Sequence, residues 1–208
     1  MPQNHSFIIS KGAHNRLKIA LISIFSIFLY YRFHGFWMEN AHGHVLLVPI
    51  YTFLQSAIFK KLVALTFALA QSMFYYELLV QFRKRGSKVQ ILCGLIIVLL
   101  FSRFFLGFIS PTLSSNAAIY VRSLIFILKD FIILLLSIFF IIRYRGYIRL
   151  AGIAAMLSVV LPNLFPSVIA AYASMDTLNT SIEIVNPITT LCAFLSYLFY
   201  FKAFKPEE

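Results

Sequence analysis

The sequence predicts an all-α, polytopic integral membrane protein with six transmembrane helices and a short external segment that is re-entrant or interfacial. Hydrophobic residues make up 61% of the 208 residues and charged residues only 12%. Soluble domains have about 45 to 50% apolar and 25% charged residues. Several apolar stretches also reach the roughly 20 residues needed to cross a hydrocarbon core about 30 Å thick. Finally, basic residues collect between alternate stretches, as they do in cytoplasmic loops.

The predicted spans form a single transmembrane helical domain over residues 1–208. They are residues 17–37, 62–82, 89–109, 117–142, 150–172 and 185–203. No polar stretch exceeds about two dozen residues, which leaves no room for a water-soluble catalytic domain of the usual size, roughly 100 residues or more. The first span follows basic residues as a signal peptide does, but no small-x-small cleavage pattern follows it, so we expect it to be retained.

Residues 44–59 are apolar but short, and Pro49 lies near their start. If they do not cross the membrane, twelve basic residues fall on the cytoplasmic side and only Lys60 and Lys61 fall outside. If they do cross, the better orientation places nine inside and five outside. The positive-inside rule therefore favours six spans in a plasma or bacterial inner membrane, with both termini in the cytoplasm.

Two charges, Lys129 and Asp130, lie side by side at the middle of the span 117–142. Each such charge costs about 2.5 to 3.5 kcal/mol at the bilayer centre and marks a functional site by default. Because adjacent helical residues point about 100° apart, we expect partners on other helices: Glu77 for a basic residue and Arg103 for Asp130. We predict that Lys129, Asp130 and Glu77 form a charge relay, and a structural ion pair between helices is the alternative.

Three arginines, Arg32, Arg103 and Arg122, fall in the outer third of the membrane in this topology. Guanidinium groups are planar forks that bind phosphate and carboxylate, so three of them converging from separate helices would form an anion site. Asn163, between Pro162 and Pro166, could add a polar group where the prolines leave helix carbonyls unpaired. The simpler alternative is that each arginine reaches the lipid headgroups on its own.

Histidines and cysteines give weak signals. His34, His42 and His44 are weak candidates for a metal site, because their spacing does not suit one helix face and no fourth ligand is obvious. Cys93 and Cys192 both lie in apolar segments and predict no disulfide framework. We expect no metal and no cofactor. We also expect no nucleic-acid partner, because the net charge of +11 is not concentrated in a basic arm with interleaved aromatic residues.

No Walker loop, nucleophile elbow or dinucleotide fingerprint occurs. The order of helices resembles small DoxX-type membrane proteins, but their glycine- and arginine-bearing motifs are not matched, so we assign no family. We expect a multi-pass protein that binds an anionic small molecule or lipid headgroup from the external side, for transport or translocation. The first alternative is a non-catalytic subunit or assembly factor whose buried charges pair with a partner membrane subunit. The second is a membrane-embedded enzyme acting at the outer leaflet, with His34, His42 or His44 as base or metal ligand.

Overall fold

A computed structural model describes most of the chain. The backbone is described over residues 7–41, 52–54, 56–109, 115–172 and 175–207. Side chains are described within these ranges except at residues 32–41, 107–109, 115, 167–172 and 175–183. Every structural statement below concerns these residues.

Six long helices and one pair of short strands make up the described chain. They are β1 (Phe7–Ile9), α1 (Lys11–Ala41), α2 (Ala57–Lys84), α3 (Gln90–Ile109), α4 (Ser115–Arg143), α5 (Tyr147–Tyr172), α6 (Met175–Ala203) and β2 (Phe204–Pro206). A further three-residue helical turn covers residues 52–54. Each long helix corresponds to one predicted span, and the two strands were not predicted.

Four helical stretches in the described residues are long and apolar enough to cross a membrane. They are Ala57–Lys84, Asn116–Arg143, Tyr147–Pro166 and Ile184–Ala203. A fifth apolar stretch, Gln90–Leu106, is shorter. Helical character and membrane-spanning helices are thus confirmed, and the chain is an integral membrane protein, but the number of six spans is not confirmed.

The helices form a ring in sequence order. Each helix packs against the next one in the chain, and α6 returns to pack against α1. Aromatic pairs join that last contact, with the ring centroids of Phe25 and Phe194 5.2 Å apart. Successive helices alternate in direction, so the chain termini and the loops after α2 and α4 lie at one end of the ring, called here the terminal end. The opposite end is the far end.

The centre of the ring is filled by large aromatic side chains near the terminal end. Phe82 of α2 stacks on Phe140 of α4, with ring centroids 5.9 Å apart. Tyr200 of α6 meets the edge of Phe140 at 5.8 Å. All three side chains are fully buried. A ring of six helices leaves a central gap, and these side chains fill it at the density that protein interiors require.

The two strands close the terminal end. Strands β1 and β2 pair in parallel, with Phe7 opposite Phe204. Both rings are buried, and Phe7 also meets Phe82 at 5.8 Å between centroids. Gln81 donates a hydrogen bond from Nε2 to the carbonyl of Ile8 at 3.1 Å, which satisfies a strand edge group. The N- and C-terminal segments therefore cap the aromatic centre together.

Polar side chains within the helices are satisfied largely by their own backbone. Ser137 and Thr190 each donate a hydroxyl proton to the carbonyl four residues earlier, at 2.7 and 2.8 Å. In α5, which is helical across both Pro162 and Pro166, Asn163 donates from Nδ2 to the carbonyl of Val159 at 2.6 Å. Such local bonds are what a hydrocarbon environment demands, because it offers no water to polar groups.

Candidate functional site

A basic cavity of about 350 Å³ opens between α1, α2 and α3 toward the far end. This volume falls in the range of ligand pockets, about 300 to 1,000 Å³. Its polar lining residues are Tyr31, Lys60, Lys61, Gln71 and Arg103. Its apolar lining residues are Ala64, Phe67, Ala68, Leu100 and Phe104. None of these residues carries a carboxylate.

The start of α2 positions the two lysines. Ser56 is the N-cap residue, and its hydroxyl accepts a hydrogen bond from the backbone N–H of Phe59 at 3.2 Å. The hydroxyl of Tyr30 donates to the carbonyl of Leu54 at 3.1 Å, which ties α1 to the turn before this cap. As a result Lys60 and Lys61 lie in the first turns of α2, inside a helix and not in a loop.

A second opening, the lateral groove, lies between α3 and α4 and has a volume of about 550 Å³. Its lining residues are Arg103, Arg122, Ser123, Phe126 and Ile127. Ile127 is 63% exposed on the outer surface of the ring, so the groove faces the surrounding lipid. Arg103 lines both this groove and the basic cavity.

Phe126 lines the lateral groove and contacts two cationic side chains. The guanidinium carbon of Arg103 lies 5.6 Å from the ring centroid, and the ammonium nitrogen of Lys129 lies 4.5 Å from it. Both distances are within the reach of cation–π attraction, about 6 Å. Phe126 thus holds Arg103 at the boundary between groove and cavity.

Lys129 and Asp130 pair with each other, which corrects the expectation of partners on other helices. Lys129 Nζ lies 3.1 Å from Asp130 Oδ1, and the two side chains are 15% and 12% exposed. The expectation failed because a four-carbon lysine side chain can bend across the 100° that separates neighbouring residues. The pair is therefore nearly neutral as a unit, and Arg103 contacts Phe126 instead of forming an ion pair with Asp130.

Glu77 does not join that pair. Its Oε1 lies 3.5 Å from the guanidinium of Arg16 on α1, and it lines a third cavity near the terminal end. Gln71 lies eleven residues before Phe82 in α2, and Lys129 lies eleven residues before Phe140 in α4. Because Phe82 and Phe140 stack on each other, Gln71 and Lys129 lie at a similar depth. Glu77 is six residues further along α2 than Gln71, or about 9 Å nearer the terminal end. The third cavity is lined by both basic and acidic side chains, including Lys84 and Glu207, so it does not favour anions.

Several predicted residues lie elsewhere or cannot be placed. Asn163 is exposed on α5, a helix that lines neither the basic cavity nor the lateral groove. The side chain of Arg32 lies outside the described residues. So do the side chains of His34, Glu39, His42 and His44, and residues 44–51 of the segment whose crossing was in question. No group of three or more potential metal ligands occurs in the part of the chain that was searched.

Sequence reasoning missed four lining residues of the basic cavity. Lys60 and Lys61 were counted only as external charges, and Tyr31 was not predicted to line a site. Gln71 was not singled out, although it lies well inside the predicted span 62–82. A signal was present, because Ala64, Ala68 and Gln71 continue the spacing of four and three that marks one helix face.

Comparison of this chain with protein families, with curated proteins and with solved structures found no match in any of the three.

Proposed function

We propose that this integral membrane protein has six spans, lies in a plasma or bacterial inner membrane with both termini in the cytoplasm, and binds an anion from the external side for transport or translocation. The orientation is supported by where basic residues fall. Those in and beside the loops after α2 and α4, such as Arg83, Lys88, Arg143 and Arg149, belong to the terminal end. The far end has Lys60 and Lys61 at the start of α2, so the positive-inside rule favours a cytoplasmic terminal end.

The observation that carries the proposal is the sharing of Arg103 by two adjacent openings. Together the described lining residues of these openings include four basic side chains, Lys60, Lys61, Arg103 and Arg122, and no carboxylate. Cations held in a low-dielectric setting attract an anion more strongly than they would in water. Guanidinium groups add directional, charge-assisted hydrogen bonds to phosphate or carboxylate oxygens.

The pair of Lys129 and Asp130 is the proposed responding group. It lies about one helical turn below Phe126, the ring that Arg103 contacts. An anion that draws Arg103 away from this ring would change the electrostatic potential at Lys129. The strength of the ion pair between Lys129 and Asp130 would change as a result. Glu77 has no part in this step, because Arg16 is its partner.

The alternatives receive less support. The subunit reading rested on buried charges that await a partner protein, but in the described residues Lys129, Asp130 and Glu77 each have a partner within the chain. The enzyme reading rested on external histidines, whose side chains lie outside the described residues. Neither is favoured by an observation of its own.

The test is equilibrium binding of radiolabelled phosphate and of succinate to the detergent-purified full chain. We expect saturable binding of at least one anion, weakened about tenfold or more by Arg103→Gln, because a charge-assisted hydrogen bond is lost. Arg149→Gln is the matched control, since it removes the same charge at the terminal end. Saturable binding that is equal in both variants would contradict the proposal.

A further inference from the structure

The lateral groove gives the anion site an opening toward lipid. Its walls combine the exposed apolar side chains of Phe126 and Ile127 with the cationic side chains of Arg103 and Arg122. Ser123 adds a hydroxyl that can donate to a phosphate oxygen. A water-soluble anion has no need of an approach from the hydrocarbon side, whereas a lipid headgroup arrives from there.

The basic cavity is amphipathic in the same way. Lys60, Lys61 and Arg103 supply positive charge, while Phe67, Leu100 and Phe104 supply an apolar wall. A hydrocarbon chain attached to the headgroup would pack against this apolar wall through many van der Waals contacts. A free inorganic anion would leave this wall unused and would gain only from the cations.

From these two surfaces we infer that the anion is the headgroup of an anionic phospholipid, which enters sideways between α3 and α4. This inference rests on the proposed function and narrows its ligand. The phosphate contacts Arg122 and Ser123 in the lateral groove, then passes to Lys60 and Lys61 in the basic cavity. Arg103 contacts it on both sides of that step, and the acyl chains extend from the apolar wall of the basic cavity past Phe126 and Ile127.

Arg103 can serve both openings because of how Phe126 holds it. The ring centroid lies 5.6 Å from the guanidinium carbon, and this contact keeps the side chain at the boundary between the two openings. Cation–π attraction at such a site is weaker than the pair of charge-assisted hydrogen bonds that a phosphate offers to a guanidinium group. Phe126 is therefore a positioning residue that yields to the headgroup.

The experiment measures lipid selectivity by electron spin resonance of the full chain in phosphatidylcholine vesicles. The probes are phosphatidic acid and phosphatidylcholine, each spin-labelled on an acyl chain. The wild type should immobilise phosphatidic acid about tenfold or more in preference to phosphatidylcholine, since two arginines contact its headgroup. Arg103→Gln and Arg122→Gln should each reduce this preference to about threefold or less, while Arg149→Gln should keep it.

Thermal stabilisation by inorganic phosphate, measured on the same preparations in detergent, separates the two hypotheses. Phosphate stabilisation that depends on Arg103, without any lipid preference, would leave the anion function standing and overturn the lipid inference. If neither phosphate stabilisation nor a lipid preference is observed, both the anion function and the lipid inference are overturned. A lipid preference that survives Arg103→Gln would also contradict the proposed route. Each variant must first give a monodisperse protein, so that lost selectivity is not lost folding.

Discussion

One face of α2 is packed in its second half and open in its first. The residues of this face follow a spacing of four and three along the helix: Ala64, Ala68, Gln71, Tyr75, Leu78 and Phe82. The last three are buried against the ring centre, while the first three line the basic cavity. The difference is one of side-chain volume, because aromatic residues fill a central gap that alanines leave empty.

The comparison teaches that stability and binding are divided along the bundle axis. The terminal half has the aromatic centre, the paired strands and the close contact between α4 and α5. The far half has the four basic residues that line the two openings. Substitutions in the terminal half should therefore change unfolding, and those in the far half should change ligand binding.

The largest expected effect is that of Phe82→Ala. This ring is fully buried and contacts Phe7, Phe140 and Tyr144, so its removal leaves a cavity. We expect a loss of about 3 to 5 kcal/mol in the free energy of unfolding, measured by denaturation in detergent. Phe105→Ala is the control, because Phe105 is 57% exposed on α3. Equal losses in the two variants would remove the distinction between a packed and an open half.

Asp130→Asn should have the next largest effect, a loss of about 3 kcal/mol in the free energy of unfolding. The charged Lys129 would then have no partner in a mostly buried site. The double variant Lys129→Met with Asp130→Leu removes both charges and should unfold within about 1 kcal/mol of the wild type. If the double variant is as unstable as Asp130→Asn, the pair has a structural role beyond mutual neutralisation.

A smaller loss is expected for Gly152→Ala at the contact of α4 and α5. An added Cβ would lie 2.9 Å from both Phe140 Cβ and the carbonyl oxygen of Ser137, so the helices must shift. Overpacking costs about 1 to 3 kcal/mol, and the higher helix preference of alanine offsets part of this. The expected net loss in the free energy of unfolding is about 1 kcal/mol. At Gly94 the nearest neighbour is Leu79 Cδ1 at 3.5 Å, so Gly94→Ala should be neutral or stabilising. Thermal unfolding of the two variants in parallel checks this.

The smallest effect is expected for Glu77→Gln, below about 1 kcal/mol, since its partner Arg16 is 59% exposed and keeps its hydration. The reverse change, Arg16→Gln, should be the more harmful of the two, because it leaves the buried Glu77 carboxylate without its partner. Anion binding should be unchanged in both variants. Loss of anion binding in Glu77→Gln would return Glu77 to the charge relay.

The helices could be read from the sequence, but their mutual arrangement could not. Apolar length and loop charge depend on local composition, so each predicted span matches an observed helix to within one residue at its ends or lies inside it. The strand pair joins Phe7 to Phe204 at opposite ends of the chain, and two runs of three residues give no periodic signal. Closure of the ring by α6 against α1 is likewise a non-local contact that no local pattern specifies.

The candidate site was only partly visible in the sequence. Depth along the helices placed Arg103 and Arg122 at a common level, and they do line one groove. Partners were harder to predict, because side-chain flexibility decides them: Lys129 bends to its neighbour, and Arg16 reaches Glu77 from α1. Lys60 and Lys61 were missed because their helix begins at Ala57, earlier than the hydropathy pattern indicated.

The most direct test of this division is the gain in unfolding temperature on adding phosphate to the wild type, Arg103→Gln and Gly152→Ala. We predict that Gly152→Ala unfolds at a lower temperature than the wild type but keeps the full phosphate-dependent gain. Arg103→Gln should unfold near the wild-type temperature without phosphate and lose the gain. A gain that persists in Arg103→Gln, or one that disappears in Gly152→Ala, would contradict the assignment of anion binding to the far half.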